Sequence, residues 1–358
     1  MKLRLGIALL AVPLAFLSSC SLPFYWQAVS GQVELLRKRV PIDAVLRDPS
    51  AASELKNSLR LVAAIRAFAV DTLLLPDNDS YTTYADLERP YAVWNVVAAP
   101  EFSVAPETWC FPFAGCVSYR GFFSRDKAFA FADGLAAAGL DTYIGGASAY
   151  STLGYFADPV LNTMLANDEV ALAALLFHEL AHQKVYVKGD SELSEGFASV
   201  IEEHGTLLWL RRNGNTAGLE RYAERLAQRR KFADLVVEHQ GRLAAAYTQA
   251  GDASAKRHAK EQALAELRAD YQRAKRSGEM TALYDAWFAQ PLNNATLASV
   301  ATYRVWVPGL RWRLKTVGLK AFYAEIAALA AIGGDARNAR LNEWNRLASA
   351  PGGPTEAG

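Results

Sequence analysis

The segment Phe177-His178-Glu179-Leu180-Ala181-His182-Gln183 constrains this chain more than any other. Residues four apart on an α-helix lie one above the other, so His178 and His182 can offer their imidazoles to one ion. Glu179, beside the first imidazole, can reach a water held by that ion. This H-E-x-x-H pattern is that of a catalytic zinc helix, in which the metal acidifies a water and the carboxylate takes its proton. The chain has only five histidines, and two of them fall at this spacing around a glutamate. Asp168 to Phe177 is rich in strong helix formers, with acids where the helix dipole favours them. Asn167 is the expected N-cap, and the helix is expected to run to about Val187 and stop at Gly189.

A single catalytic zinc needs a third protein ligand and keeps its fourth position for water. Past the Gly189-Asp190-Ser191 turn a second helix begins, and on it Glu195 and Glu202 are close to two full turns apart, so they share a face. One can ligate while the other orients a histidine through its free ring N–H. Glu195 is the candidate ligand and Glu202 the candidate supporter. The competing reading makes Glu192, Glu195, Glu202 and Glu203 the solvated side of an amphipathic helix.

The run His178-Glu179-Leu180-Ala181-His182-Gln183, followed by Ser194-Glu195-Gly196-Phe197-Ala198, resembles the gluzincin aminopeptidases of the aminopeptidase N type. The resemblance implies zinc ligation by His178, His182 and Glu195, with Glu179 as general base. The connection between the two motifs is shorter here than in that family, and its G-A-M-E-N substrate signature is missing. The whole chain is more similar to a family of bacterial lipoproteins described as putative aminopeptidases. Leu75 to Tyr81, Trp109 to Pro112, Gly115 to Gly121 and Ala149 to Gly154 carry that likeness. It implies a Zn2+-dependent enzyme with a peptide substrate, and supports peptidase more firmly than exopeptidase. Gluzincins often stabilise the oxyanion with a tyrosine beyond the zinc motif; Tyr303 is the first candidate and Tyr150 the second.

The N-terminus reads as a targeting segment. Lys2 and Arg4 precede an apolar stretch from Leu5 to Leu17, too short to span a membrane comfortably, and Leu17-Ser18-Ser19-Cys20 resembles a lipoprotein signal box. Cleavage before Cys20 and lipidation of its thiol would tether the chain to a membrane. Ser21 resembles an outer-membrane sorting context, which places the body in the periplasm. An oxidising periplasm would allow Cys110 and Cys116 to form a disulfide around a tight Pro- and Gly-containing loop. Removing residues 1–19 takes two basic groups and no acidic one, leaving 36 basic against 37 acidic residues. That balance suggests neither nucleic-acid binding nor polybasic adhesion to a membrane.

The fold class expected is α+β and mostly helical: a zincin-like small sheet and active-site helix, then a helical C-terminal part. Residues 20–348 are read as one domain, sheet-containing to about 166, with active-site helices over 168–212 and helices over 219–348. Residues 349–358 are a Pro- and Gly-rich tail expected to be disordered. Strands are expected at Tyr91–Ala98, Val117–Phe123 and Asp141–Ile144, with Gly145-Gly146 as an interruption. Ala147 to Leu153 is the candidate substrate-pairing edge or its adjoining loop. Leu219–Gln249 and Ser254–Arg276 read as an antiparallel helical pair with His239 and His258 on its solvent face. The alternatives to a peptidase acting on protein-derived peptides are a non-catalytic zinc-binding envelope scaffold and a peptidoglycan peptide hydrolase.

Overall fold

The structure is a computed structural model and describes residues 22–111, 115–166, 168–301 and 305–350. The signal segment, Cys20, Asn167, Tyr303 and the tail beyond residue 350 lie outside the described residues. Helices dominate, with small sheets between them, so the α+β, mostly helical expectation holds.

The larger sheet has three antiparallel strands in the order Arg120–Phe122, Val93–Pro100, Leu140–Ala147. Val93–Pro100 is central and nearly all buried, as its apolar run demands. Leu140–Ala147 pairs with it along its whole length and, among the described strands, has no neighbour on its other side. The expected break at Gly145-Gly146 does not occur. Both glycines continue the ladder opposite Asn95 and Trp94, where the ring of Tyr91 covers Gly146 so closely that a Cβ would lie 2.5 Å from it. The edge strand ends at Ala147, so residues 148–153 are its adjoining loop. Val117–Phe123, expected as one strand, is instead split: Gly115–Val117 pairs with Trp109–Phe111, and Arg120–Phe122 joins the sheet. Cys110 and Cys116 face each other across that hairpin and are disulfide-bonded.

The motif helix runs Glu169–Lys184 and the return helix Ser191–Arg212. Asp168, and not the expected Asn167, caps the first, its Oδ1 accepting from Ala171 N at 2.8 Å. The helix stops earlier than the sequence suggested because Val185 is extended, and the chain then turns through Gly189 at φ 79°. Gly115 of the disulfide hairpin abuts this turn; a Cβ there would meet Gly189 N at 2.6 Å. Apolar residues ring the motif helix, since it crosses the core. Leu176, Phe177 and Leu180 are wholly buried, and the Phe177 ring packs at a tilt 5.7 Å from Phe68 of the helix Ser53–Asp71. The return helix comes close because Gly205 has no side chain: a Cβ would lie 2.5 Å from Leu73 and 2.9 Å from the Phe177 ring.

A second apolar cluster lies between Thr216–Gln249 and Ala253–Arg276, the expected helical pair, and includes Val236, Leu267, Tyr271 and Phe288. His239 does not face solvent there. It is 1 % exposed, with Nε2 2.9 Å from Asp270, because the pair buries a polar contact inside its seam. His258 is exposed as expected. The helix Asn294–Ala301 packs on the sheet, Asn294 N donating to Asp141 at 2.8 Å. Three helices, Val307–Val317, Leu319–Ala330 and Gly334–Ala348, complete the described chain.

Gly205→Ala tests the helix crossing. Overpacking against Leu73 and Phe177 is expected to lower stability by about 1–3 kcal/mol, read as a drop in the denaturation midpoint. An unchanged midpoint would mean the two helices can separate freely.

Candidate metal centre and its surroundings

The helix crossing brings three of the sequence candidates to one point. His178 Nε2 and His182 Nε2 are 3.2 Å apart, and Glu195 Oε2 lies 3.3 Å from the first and 3.6 Å from the second. Among the described residues this is the group of donors placed to hold a metal ion. Zinc bonds of about 2.0–2.2 Å give ligand-to-ligand edges of about 3.3–3.6 Å in a tetrahedron. The donor set therefore fits zinc in both chemistry and spacing. His178 Nδ1 lies 3.2 Å from Glu202 Oε2. With its proton on Nδ1, His178 donates to Glu202 and turns the Nε2 lone pair to the common point. Both carboxylates of the return helix thus reach one imidazole, from opposite sides.

Without a metal the cluster is a charged one. Burial opposes a charge on His178, but Glu195 and Glu202 outweigh it and push its pKa up to about 10. Burial likewise opposes ionisation of Glu195, yet the two imidazoles hold it far below the usual carboxylate range. Glu202 is also held low against its burial, by Arg229 and His178.

Behind Glu202 lies an ionic layer that the sequence did not reveal. Arg229, on the helix Thr216–Gln249, donates to Glu202 at 2.8 Å and to Glu203 at 3.2 Å. Arg311, on the helix Val307–Val317, donates to Glu203 at 2.9 Å, and Arg230 stands 3.6 Å from the same carboxylate. Glu203 is only 6 % exposed, so the solvated-face reading holds for Glu192 but not for Glu195, Glu202 or Glu203.

Glu179 sits on the next face of the motif helix. Burial raises its pKa, with the two imidazoles offsetting part of the rise. One turn on, Gln183 fastens this face to two segments of the chain. Its Oε1 accepts from Asn78 Nδ2 at 2.8 Å, and its Nε2 donates to Ser80 Oγ and Asp158 Oδ2, each at 3.3 Å. Asp158 is buried and also accepts from Thr152 N at 3.0 Å and Thr152 Oγ1 at 2.7 Å, which shapes the loop after the edge strand. Tyr150 on that loop packs its ring 4.9 Å from Phe123. Three tyrosines passed over in the sequence reading crowd the same region. Burial raises the pKa of Tyr119, Tyr186 and Tyr81, and the charge of Glu195 or Glu179 raises it further. Tyr81 and Tyr119 lie in two of the runs that carry the family likeness, but only tertiary packing brings all three tyrosines to the site.

Two cavities, of about 420 and 500 Å3, border His178, and both are also bounded by Glu202, Arg229 and Tyr284. The second also reaches Glu179 and Ser148, at the end of the edge strand. Their walls are otherwise largely apolar, with Phe232 and Trp287 in the first and Leu175 and Leu226 in the second. This size and lining suit part of an organic ligand.

The roles of the two carboxylates are separable. Glu195→Ala is expected to abolish stoichiometric zinc binding. Glu202→Ala is expected to retain it with about 10–100-fold lower affinity, since only the orientation of His178 is lost. Competition titration with a chromophoric chelator reads both, and the reverse order of effects would exchange the assignments.

Comparison with known families agrees with the peptidase reading at a coarse level. The profile of the family described as "Putative aminopeptidase" matches residues 23–341, which is most of the chain and includes both motif helices. No curated protein matches the chain. No solved structure matches it either. The extent of the family match decides the matter: the chain belongs to the putative aminopeptidase family.

Proposed function

We propose that the protein is a zinc-dependent peptidase of the gluzincin kind, with a zincin-like catalytic region, held at the bacterial outer membrane by a lipid on Cys20 and facing the periplasm. The observation that carries the zinc reading is the triangle of donor atoms on His178, His182 and Glu195, whose edges match those of a zinc tetrahedron. Zinc at that point would supply Lewis acidity and lower the pKa of a bound water towards neutrality.

The remaining chemistry falls to the chain. Glu179, adjacent to His178 and bordering the larger cavity, takes the proton of the attacking water and passes it to the leaving amine. Its burial favours holding that proton between the two events. The outer edge of Leu140–Ala147 beyond Thr142, whose carbonyl already accepts from Asn293 Nδ2 at 2.9 Å, can pair with the substrate backbone by strand addition, which would lead the scissile bond past Ser148 towards Glu179. Glu202 and Arg229 keep His178 in one tautomer and one orientation. Tyr119, Tyr186, Tyr150 and Tyr303 are the candidates for a hydroxyl that meets the oxyanion. Apart from Glu179, the carboxylates lining the two cavities are Glu202 and Glu203, and both are engaged by arginine. The aminopeptidase reading therefore rests on the family and not on a visible anchor for an α-amine.

Glu179→Gln in zinc-loaded protein is expected to keep the metal while turnover falls about 10²-fold or more. The assay uses free-amine and N-blocked peptides, with and without chelator. Turnover confined to free-amine peptides and lost on chelation supports an aminopeptidase. Near-normal turnover by the glutamine variant contradicts the mechanism, and fully loaded protein that cleaves neither class contradicts the enzyme reading.

A further inference from the structure

The helix Leu22–Lys38 begins two residues beyond Cys20. One of its faces is fully used. Phe24 packs 5.4 Å from Phe111 and 5.6 Å from Phe122, with the Arg120 guanidinium 3.9 Å from its ring. Gln27 accepts from Phe123 N at 3.0 Å and donates to Gly121 O at 3.3 Å. Gly31 lets the Phe123 ring in so closely that a Cβ would lie 2.1 Å from it, and Leu35 is buried one turn later. The spacing of Phe24, Gln27, Gly31 and Leu35 is that of a single helical face, docked on the strand Arg120–Phe122 and its surroundings.

Away from that face, the N-terminal half of the helix is exposed and apolar. Trp26 is 73 % exposed, the most exposed large hydrophobic side chain among the described residues, with Val29 at 58 % and Tyr25 at 39 % beside it. Covalent geometry limits how far this face can be from Cys20. Two extended residues and four helical rises put the Trp26 Cα within about 13 Å of the Cys20 Cα. The polar layer of a bilayer is about 5–7 Å deep on each side of a hydrocarbon core of about 30 Å. A lipid on Cys20 therefore holds Trp26 at or just outside that layer, where an amphipathic indole is most stable.

We infer that the face carrying Tyr25, Trp26 and Val29 is a membrane-docking surface that sits in the interfacial layer of the bilayer anchoring Cys20. This rests on the lipid-anchor reading. The helix is then a rigid foot, not a leash, because its inner face is locked to the strand Arg120–Phe122 and Phe123 beyond it. The contact is apolar and local. The 36 basic and 37 acidic residues beyond the signal segment nearly balance, and the basic pair Arg37 and Lys38 lies in the last turn of the helix, about three turns from Trp26, so docking is carried by apolar contact and depends little on salt.

The test uses acylated mature protein reconstituted into phosphatidylethanolamine–phosphatidylglycerol vesicles, with or without bromine near the top of the acyl chains. Brominated vesicles are expected to quench the protein by the share of one tryptophan among eight, equally in low and high salt. Trp26→Phe is expected to remove that quenching and leave peptide turnover unchanged. No quenching of the wild type, or quenching that persists in Trp26→Phe, overturns the inference. So does protection of Trp26 from acrylamide without bromine quenching, which indicates a second protein copy on this face. Mass analysis of the N-terminal peptide separates the two failures. An unacylated Cys20 overturns anchor and docking together, whereas an acylated but unquenched chain overturns docking alone.

Discussion

The close crossing of Glu169–Lys184 and Ser191–Arg212 is the constraint on which the rest depends. An H-E-x-x-H helix supplies two donors by its own geometry, but a third donor must arrive from elsewhere within about 3.5 Å. Here it arrives because Gly205 admits Phe177 and Leu73 to the surface of the return helix. Nearly three turns earlier on that helix, Glu195 then lies opposite His178 and His182. The turn between the helices is itself backed by the disulfide hairpin at Gly115. Site geometry is in this sense a packing result.

The ionic layer behind the site links that crossing to the C-terminal helices. Glu202 and Glu203 are carried by one helix, Arg229 and Arg230 by a second, and Arg311 by a third. Buried ion pairs contribute little net stability, since desolvation offsets attraction, but losing one partner leaves a buried charge and costs about 3–5 kcal/mol. Such a layer specifies an arrangement more than it stabilises one. Its product is a fixed direction for the Glu202 carboxylate, and through it a fixed His178.

How much was legible in advance follows from how local each signal is. The two histidines, Glu179 and the Glu195–Glu202 pair were readable because helical spacing alone puts them on defined faces. The hairpin disulfide was readable from its short loop. The roles of Glu203, Arg229 and Arg311 were not, because an acidic residue beside Glu202 looks like a solvated face until distant helices cover it. His239 was misread for the same reason: charged neighbours in sequence say nothing about Asp270 across the seam. Gly145 and Gly146 resemble a break, yet they continue a strand because aromatic rings occupy the space a side chain would need. Gln183, Asp158, Asn78 and Ser80 meet only in three dimensions, although Asn78 and Ser80 lie in one of the runs that carried the family likeness.

The central claim is that His178, His182 and Glu195 converge on one zinc ion. X-ray absorption at the zinc edge of protein loaded to one equivalent tests it most directly, read beside the same spectrum of Glu195→Ala. The expected spectrum shows two imidazole nitrogens and light oxygen ligands at about 2.0–2.2 Å, with no sulfur, and loss of that ordered shell in the variant. A six-coordinate, mostly aquated ion, or a shell unchanged in Glu195→Ala, would contradict it.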